Sequence, residues 1–161
     1  MWSPDRRLVL AALLALAGCG FTPAFAPGGG AAGLLNQVRP DDPVDADGFA
    51  FNRRIGERLG PAADGARFRL ATAISVKTAA QGITSTQAIT RYALNGSADY
   101  TLTDAASGAV LARGNVASFS SHSATGTTIA TLAAERDARD RLMVMLADQV
   151  VTRLIAVAPA P

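Results

Sequence analysis

Between residues 67 and 121 the chain alternates apolar and polar side chains three times over, with short breaks, and this restricts its fold more than any other feature. Phe68, Leu70, Ile74 and Val76 fall on one parity, with Arg67, Arg69, Ser75 and Lys77 on the other. Then Tyr92, Leu94, Ala98, Tyr100 and Leu102 oppose Arg91, Asn95, Ser97, Asp99 and Thr101. Side chains in a strand project alternately to the two faces, so each run predicts a strand with one buried face. Residues 78–87 are polar, either a loop or the continuing arm of a hairpin. The segment from Thr103 to Gly108 predicts a turn, with Asp104 able to accept from its own backbone and Gly108 able to take positive φ. A third strand is expected from Ala109 to Ser121. Its alternation is imperfect, since Leu111, Ala117 and Phe119 oppose Val110, Gly114 and Val116, and a bulge near Gly114 would account for it.

The period then changes from two to four. Ala130, Ala134, Ala138, Leu142, Leu146, Val150 and Leu154 recur every fourth residue, widened by Met145 and Val157. They predict a helix capped by Thr127 or Thr128 and running to about Ala156. Its small residues would let the backbone sit close to a sheet. Glu135/Arg139 and Asp137/Arg141 are i,i+4 pairs on its wet face. Upstream, Phe51, Ile55 and Leu59 mark a shorter helix over 48–59, capped by Asp45 or Asp47, ended by Gly60-Pro61, with Arg53, Arg54, Glu57 and Arg58 outward. Residues 34–39 are a candidate first strand, closed by Pro40 and Pro43. The order β-α-β-β-β-α predicts an α+β two-layer sandwich: a four-stranded antiparallel or mixed sheet with two helices on one face. The other face would stay uncovered and present Arg67, Arg69, Lys77, Arg91, Asn95 and Thr101.

The N-terminus carries a different signal. Arg6 and Arg7 precede ten apolar residues, Leu8 to Ala17, and then comes Leu16-Ala17-Gly18-Cys19. A charged start, a short apolar run and a small-residue site describe an export signal. Ten residues at about 1.5 Å each reach half of a roughly 30 Å hydrocarbon core, so the run is too short to span it. Leu-Ala-Gly-Cys resembles the bacterial lipobox. That resemblance implies cleavage before Cys19, lipidation of Cys19, and an acylated N-terminus. The residue after Cys19 is Gly20 rather than aspartate, which by resemblance to Gram-negative sorting favours the outer membrane over the inner one. The expected organisation is a signal peptide over 1–18, a lipidated Gly/Pro-rich tether over 19–33, one α+β domain over 34–157 and a disordered tail over 158–161. Phe21 and Phe25, within the tether, could rest on the domain, on lipid or on a partner.

Removing residues 1–18 leaves 143 residues with 13 basic and 12 acidic side chains, enough chain for one domain and nearly neutral overall. Seven basic residues and two acids lie between Arg53 and Arg91. No basic run with interleaved aromatics suggests nucleic acid. Cys19 is the single cysteine and His122 the single histidine. With Cys19 lipidated, no disulfide or thiol nucleophile remains, and a transition-metal site is not expected. Phosphate-binding, dinucleotide and nucleophile-elbow motifs are absent from the sequence, so neither an enzyme nor a cofactor beyond the covalent lipid is expected. The basic side of the sheet reads either as a solvated face or as a site for a phosphorylated anionic headgroup. Arg67, Arg69, Lys77 and Arg91 are the candidate residues on charge and strand parity.

Three stretches together resemble the LPS-assembly lipoprotein family LptE, especially its alphaproteobacterial members. They are Cys19-Gly20-Phe21-Thr22-Pro23; Arg91-Tyr92-Ala93-Leu94 with its strand and following turn; and the Ser/Thr run before Ala130, with Ala133 to Ala138 and a helix ending Gln149 to Leu154. In this chain the aromatic after Pro23 is displaced to Phe25, and the first strand is weak. The resemblance implies an outer-membrane lipoprotein on the periplasmic side, partnered with an LptD-type β-barrel and with lipopolysaccharide. It would act as barrel plug, assembly factor and lipopolysaccharide binder. The alternatives are a lipid- or solute-binding lipoprotein serving an inner-membrane transporter, and a lipid-anchored hydrolase using His122.

Overall fold

The computed structural model describes residues 29, 31–83 and 89–157. Residues 1–28, with the expected signal peptide, Cys19, Phe21 and Phe25, lie outside them, as do 84–88 and 158–161. After a 3-10 turn at Ala32–Leu34, the elements are β1 (Val38–Pro40), α1 (Ala46–Leu59), β2 (Phe68–Ile83), β3 (Ile89–Asp104), β4 (Val110–Ser123) and α2 (Thr128–Val157). The sheet order is β1-β2-β3-β4. β1 runs parallel to β2, and the other neighbours are antiparallel. This is the expected two-layer α+β fold in the expected order.

Local chemistry sets the boundaries. The Asp45 carboxylate accepts the Gly48 N–H at 2.7 Å and caps α1. Gly60 ends it at φ +81°, and a Cβ there would overlap Asn36 Oδ1. The Thr127 hydroxyl accepts the Ala130 N–H at 3.3 Å, which makes Thr127 the cap of α2. In the β3–β4 turn, Asp104 Oδ1 accepts the N–H groups of Ala106 and Ser107, and Gly108 takes φ +71°.

Several expectations are corrected. The first strand starts at Val38 rather than Leu34, because Leu34 turns inward within the 3-10 turn and is buried. For the polar stretch after Lys77, the second of the two expected readings holds: it continues β2 as a hairpin arm to Ile83. Irregular pairing in β4 lies at Leu111, where Leu102 pairs Ala112 and Thr103 pairs Val110, not at Gly114. Gly114 answers a different need: it pairs directly with Tyr100, whose hydroxyl would come within 2.7 Å and whose ring within 2.9 Å of a Cβ there. Ala130 and Val157 are exposed, and Met143, Ala147 and Val151 complete the buried stripe of α2 instead. Arg54 and Arg58 do not face outward; both reach Asp148 on α2.

The core forms where α1 and α2 meet one sheet face: Phe51, Ile55 and Leu59 from α1; Leu142, Met143, Leu146 and Leu154 from α2; Leu70, Leu94 and Leu102 from the strands. At about 1.5 Å per residue the 30-residue α2 is roughly 45 Å long, comparable to the 16-residue strands at about 3.3 Å per residue. α1 has 14 residues, less than half as many. The helix layer is thus complete along β3 and β4 but short along β2. No helix among the described residues is long and apolar enough to cross a membrane.

Candidate functional site: the open face of the sheet

The face opposite the helices is paved largely with small side chains. Antiparallel register lays them in rows across β2, β3 and β4: Ala73–Asp99–Asn115, Ser75–Ser97–Ala117, Lys77–Asn95–Phe119, Ala79–Ala93–Ser121 and Gln81–Arg91–Ser123. Short side chains on three antiparallel strands leave a smooth sheet surface. Phe119 projects from it, 72% exposed. Parity could have marked Phe119 and Arg113 as members of this face, but the Leu111 bulge blurs the phase of β4 before Arg113 is reached. Asn115 donates to Asp99 Oδ1 at 2.8 Å, which fixes one row.

All four candidate basic residues lie on this face, but they do not converge. Arg67 flanks the first residue of β2, ten residues from Lys77, or about 33 Å along a strand. Arg91 pairs with Gln81, four residues (about 13 Å) past Lys77. Arg67 and Arg69 are also engaged by acids. Arg67 Nε donates to Asp104 Oδ2 at 3.3 Å, and Arg69 Nε to Asp41 Oδ1 at 2.6 Å. Hydrogen bonds from the Ser107 N–H, the Ser107 hydroxyl and then Arg67 hold the Asp104 carboxyl below the usual carboxylate range. The Asp41 hydrogen bond raises Arg69 further above its ordinary value. Among the described residues Lys77 and Arg91 form no ion pair. Of the four candidates, the two left without an acid are thus those nearer the β2–β3 hairpin; Arg39 and Arg113, toward the other end of the face, also form no ion pair among the described residues.

At that end, Tyr92 and His122 are cross-strand partners on the helix side, stacked with ring centroids 5.5 Å apart. His122 is buried, and its Nδ1 lies 3.3 Å from the Ser123 carbonyl oxygen. Its neighbours in the rows supply no carboxylate, so the geometry gives it a packing role rather than that of a general base. Beside the stack an open groove of about 510 Å³ is lined by Ile89, Ala124, Thr128, Thr131 and Leu132. Among the described residues no cluster of three or more His, Cys, Asp or Glu side chains could hold a metal ion.

The family described as LptE, lipopolysaccharide-assembly, matches residues 36–154. Among solved structures, a candidate lipoprotein from Caulobacter crescentus CB15 superposes with a TM-score of 0.66 at 19% identity, over 79% of this chain and 93% of its own. The rare lipoprotein B of Shewanella oneidensis gives 0.54 at 11%, over 74% and 92%. A minor lipoprotein of Acinetobacter baumannii gives 0.53 at 12%, over 76% and 93%. No curated protein matches. At these identities the structures establish the shared fold, and the family match covers every strand and nearly all of both helices. The chain belongs to the LptE family, non-enzymatic lipoproteins of lipopolysaccharide assembly.

Proposed function

We propose that the chain is exported, lipidated at Cys19 and held on the periplasmic side of the outer membrane, where it works with an LptD-type β-barrel to assemble lipopolysaccharide at the cell surface. Its parts would be those of barrel plug, assembly factor and lipopolysaccharide binder, in the alphaproteobacterial form of the family suggested by its motif order. The observation that carries this reading is the family match across 36–154 downstream of a lipobox cysteine. The open face supports it, since a broad surface of small side chains fits against a large partner rather than around a small ligand. The groove beside Tyr92 is broadly open to solvent rather than enclosing, which favours a partner surface over a solute-binding subunit of a transporter.

The test is recovery of the tethered chain from outer membranes. A large β-barrel protein should come with it in stoichiometric amount; recovery of the chain alone overturns the proposal. Cys19→Ala should move the chain from the membrane to the soluble periplasmic fraction. The rationale is that each acyl methylene contributes about 0.8 kcal/mol to membrane binding and no helix among the described residues substitutes for the anchor.

The charge pattern sharpens the lipopolysaccharide site within this proposal. Among the described residues Lys77 and Arg91 pair with no acid, whereas Arg67 and Arg69 are already paired. Neutralising Lys77 and Arg91 together should weaken lipopolysaccharide binding by about tenfold at low salt, and flatten its salt dependence. Neutralising Arg67 and Arg69 should cost less. The reverse order, measured by titration with purified lipopolysaccharide, would put the anion at the other end of the sheet.

A further inference from the structure

β1 pairs with β2 only at Phe68, Arg69 and Leu70. The last rung beyond it is the Asp41 N–H donating to the Leu70 carbonyl at 3.0 Å. Pro43 then turns the chain away, and Asp45 starts α1. β2 continues for thirteen more residues, and beyond Leu70 no strand lies along that edge among the described residues.

The phase of this edge is set by the rungs that exist. The Phe68 N–H donates to the Gln37 carbonyl at 2.8 Å, on the β1 side, while the Arg67 carbonyl accepts from Ala105 on the other side. Even-numbered residues of β2 therefore aim their N–H and C=O away from β3. Thr72, Ile74, Val76, Thr78 and Ala80 form a row of donors and acceptors, unpaired by any strand among the described residues, at the spacing of a strand ladder. Natural edges are usually blunted by prolines, bulges or charges. From Thr72 to Ala80 this one carries a single such device, Lys77.

The side chains show the same incompleteness. Phe68 and Leu70 are 2% and 0% exposed where β1 and α1 stand beside them. Ile74 and Val76, on the same face two and three rungs later, are only half-buried. A groove of about 250 Å³, lined by Asp41, Pro43, Val44, Thr72 and Ile74, opens where β1 stops.

We propose that the β2 edge from Thr72 to Ala80 receives an extended segment of the barrel partner as an added strand, continuing the line that β1 leaves unfinished. This rests on the reading of the chain as the partner of a barrel. The ladder recognises backbone in extended form, which neither a helix nor a lipid supplies. The occupant is five or six residues long and alternates. Its apolar side chains complete the cover over Ile74 and Val76, and its outward side chains are neutral or acidic opposite Lys77.

The test uses the full chain alone and in complex with the co-purified barrel, read by amide hydrogen exchange at single-residue resolution. In the complex the N–H groups of Thr72, Ile74, Val76 and Thr78 should exchange at least tenfold more slowly. Those of Ser75, Lys77 and Ala79, already bonded to β3, should change little. Thr78→Pro removes one edge-facing N–H that holds no bond within the domain. It should leave the circular dichroism and thermal midpoint of the free chain nearly unchanged while lowering barrel recovery at least tenfold. If Thr78→Pro unfolds the free chain, the exchange pattern of the unmodified complex decides alone. Barrel recovered with edge amides still exchanging as in the free chain overturns the added strand and leaves the barrel partnership standing. No barrel recovered at all overturns both. Slow edge amides in the isolated chain that speed up on dilution would assign the edge to a second copy and overturn the proposal.

Discussion

Leu142→Ala should lower the free energy of unfolding by about 3–4 kcal/mol, as expected for a fully enclosed leucine truncated to a methyl group. Leu142 is 0% exposed and lies against Gly96 in the middle of β3. A Cβ built on Gly96 would stand 2.9 Å from Leu142 Cδ2, 3.1 Å from Cγ and 3.2 Å from Cδ1, so the leucine rests on the strand backbone itself. Gly96→Ala alone should cost about 1–2 kcal/mol. The clash forces Leu142 off its packing, and the lower entropy of an unfolded alanine offsets part of that. In the double variant the new methyl group enters the space that Leu142 vacates. The two costs should then fall short of their sum by about 1 kcal/mol, because the residues share one volume. Denaturant unfolding of the four proteins of this cycle measures the coupling. Strict additivity would mean that α2 does not seat on β3 at Gly96.

That contact explains what the sequence could and could not convey. Alternation around Leu94 and Leu102 placed β3 and its buried face correctly, because a half-buried strand writes its phase into side-chain polarity. Gly96 sits on the buried parity with no side chain to announce it, so this close approach of helix and sheet leaves no pattern. The four-residue stripe of α2 predicted Leu142, Leu146, Val150 and Leu154, all buried. It misassigns Ala130 because a strict four-residue spacing drifts about 40° per step round a 3.6-residue helix, so that Thr128, Thr131 and Leu132 rather than Ala130 line the groove beside Tyr92. β1 was legible only as a weak apolar stretch, since its three residues are held by pairing to a strand thirty residues on. On the open face, parity located Arg67, Arg69, Lys77 and Arg91 correctly. Their spread along the sheet, and the engagement of two of them by Asp41 and Asp104, are matters of register and of partners distant in sequence.

Arg54 and Arg58 show the same limit with a larger consequence: replacing Asp148 by alanine should destabilise the domain by about 2–3 kcal/mol. Arg54 Nε and Nη2 each donate to one Asp148 oxygen at 3.0 Å, and Arg58 Nη1 donates to Oδ1 at 2.6 Å. The three side chains are each about one-third exposed or less, so solvent weakens this network only in part. Without the carboxylate, two guanidinium groups four residues apart on α1 stand side by side at the α1–α2 seam, and only Arg54 keeps an acid, Glu57 at 3.0 Å. Burial opposes the charge of Asp148 and is the largest single influence on it, but the hydrogen bonds and the positive charges of Arg54 and Arg58 together outweigh that burial and hold the carboxyl below the usual carboxylate range. A folded-state value below the unfolded one means that the charged network contributes fully above the ordinary aspartate value of about 3.9, and that the contribution is lost as pH falls below it. The stability difference between the native chain and Asp148→Asn, followed by urea unfolding, should therefore be constant from about pH 7 to pH 5. It should shrink toward zero as the pH is lowered to about 2. A difference near zero at every pH would assign the seam to the packing of the arginine stems, with the charges of Arg54, Arg58 and Asp148 incidental to it.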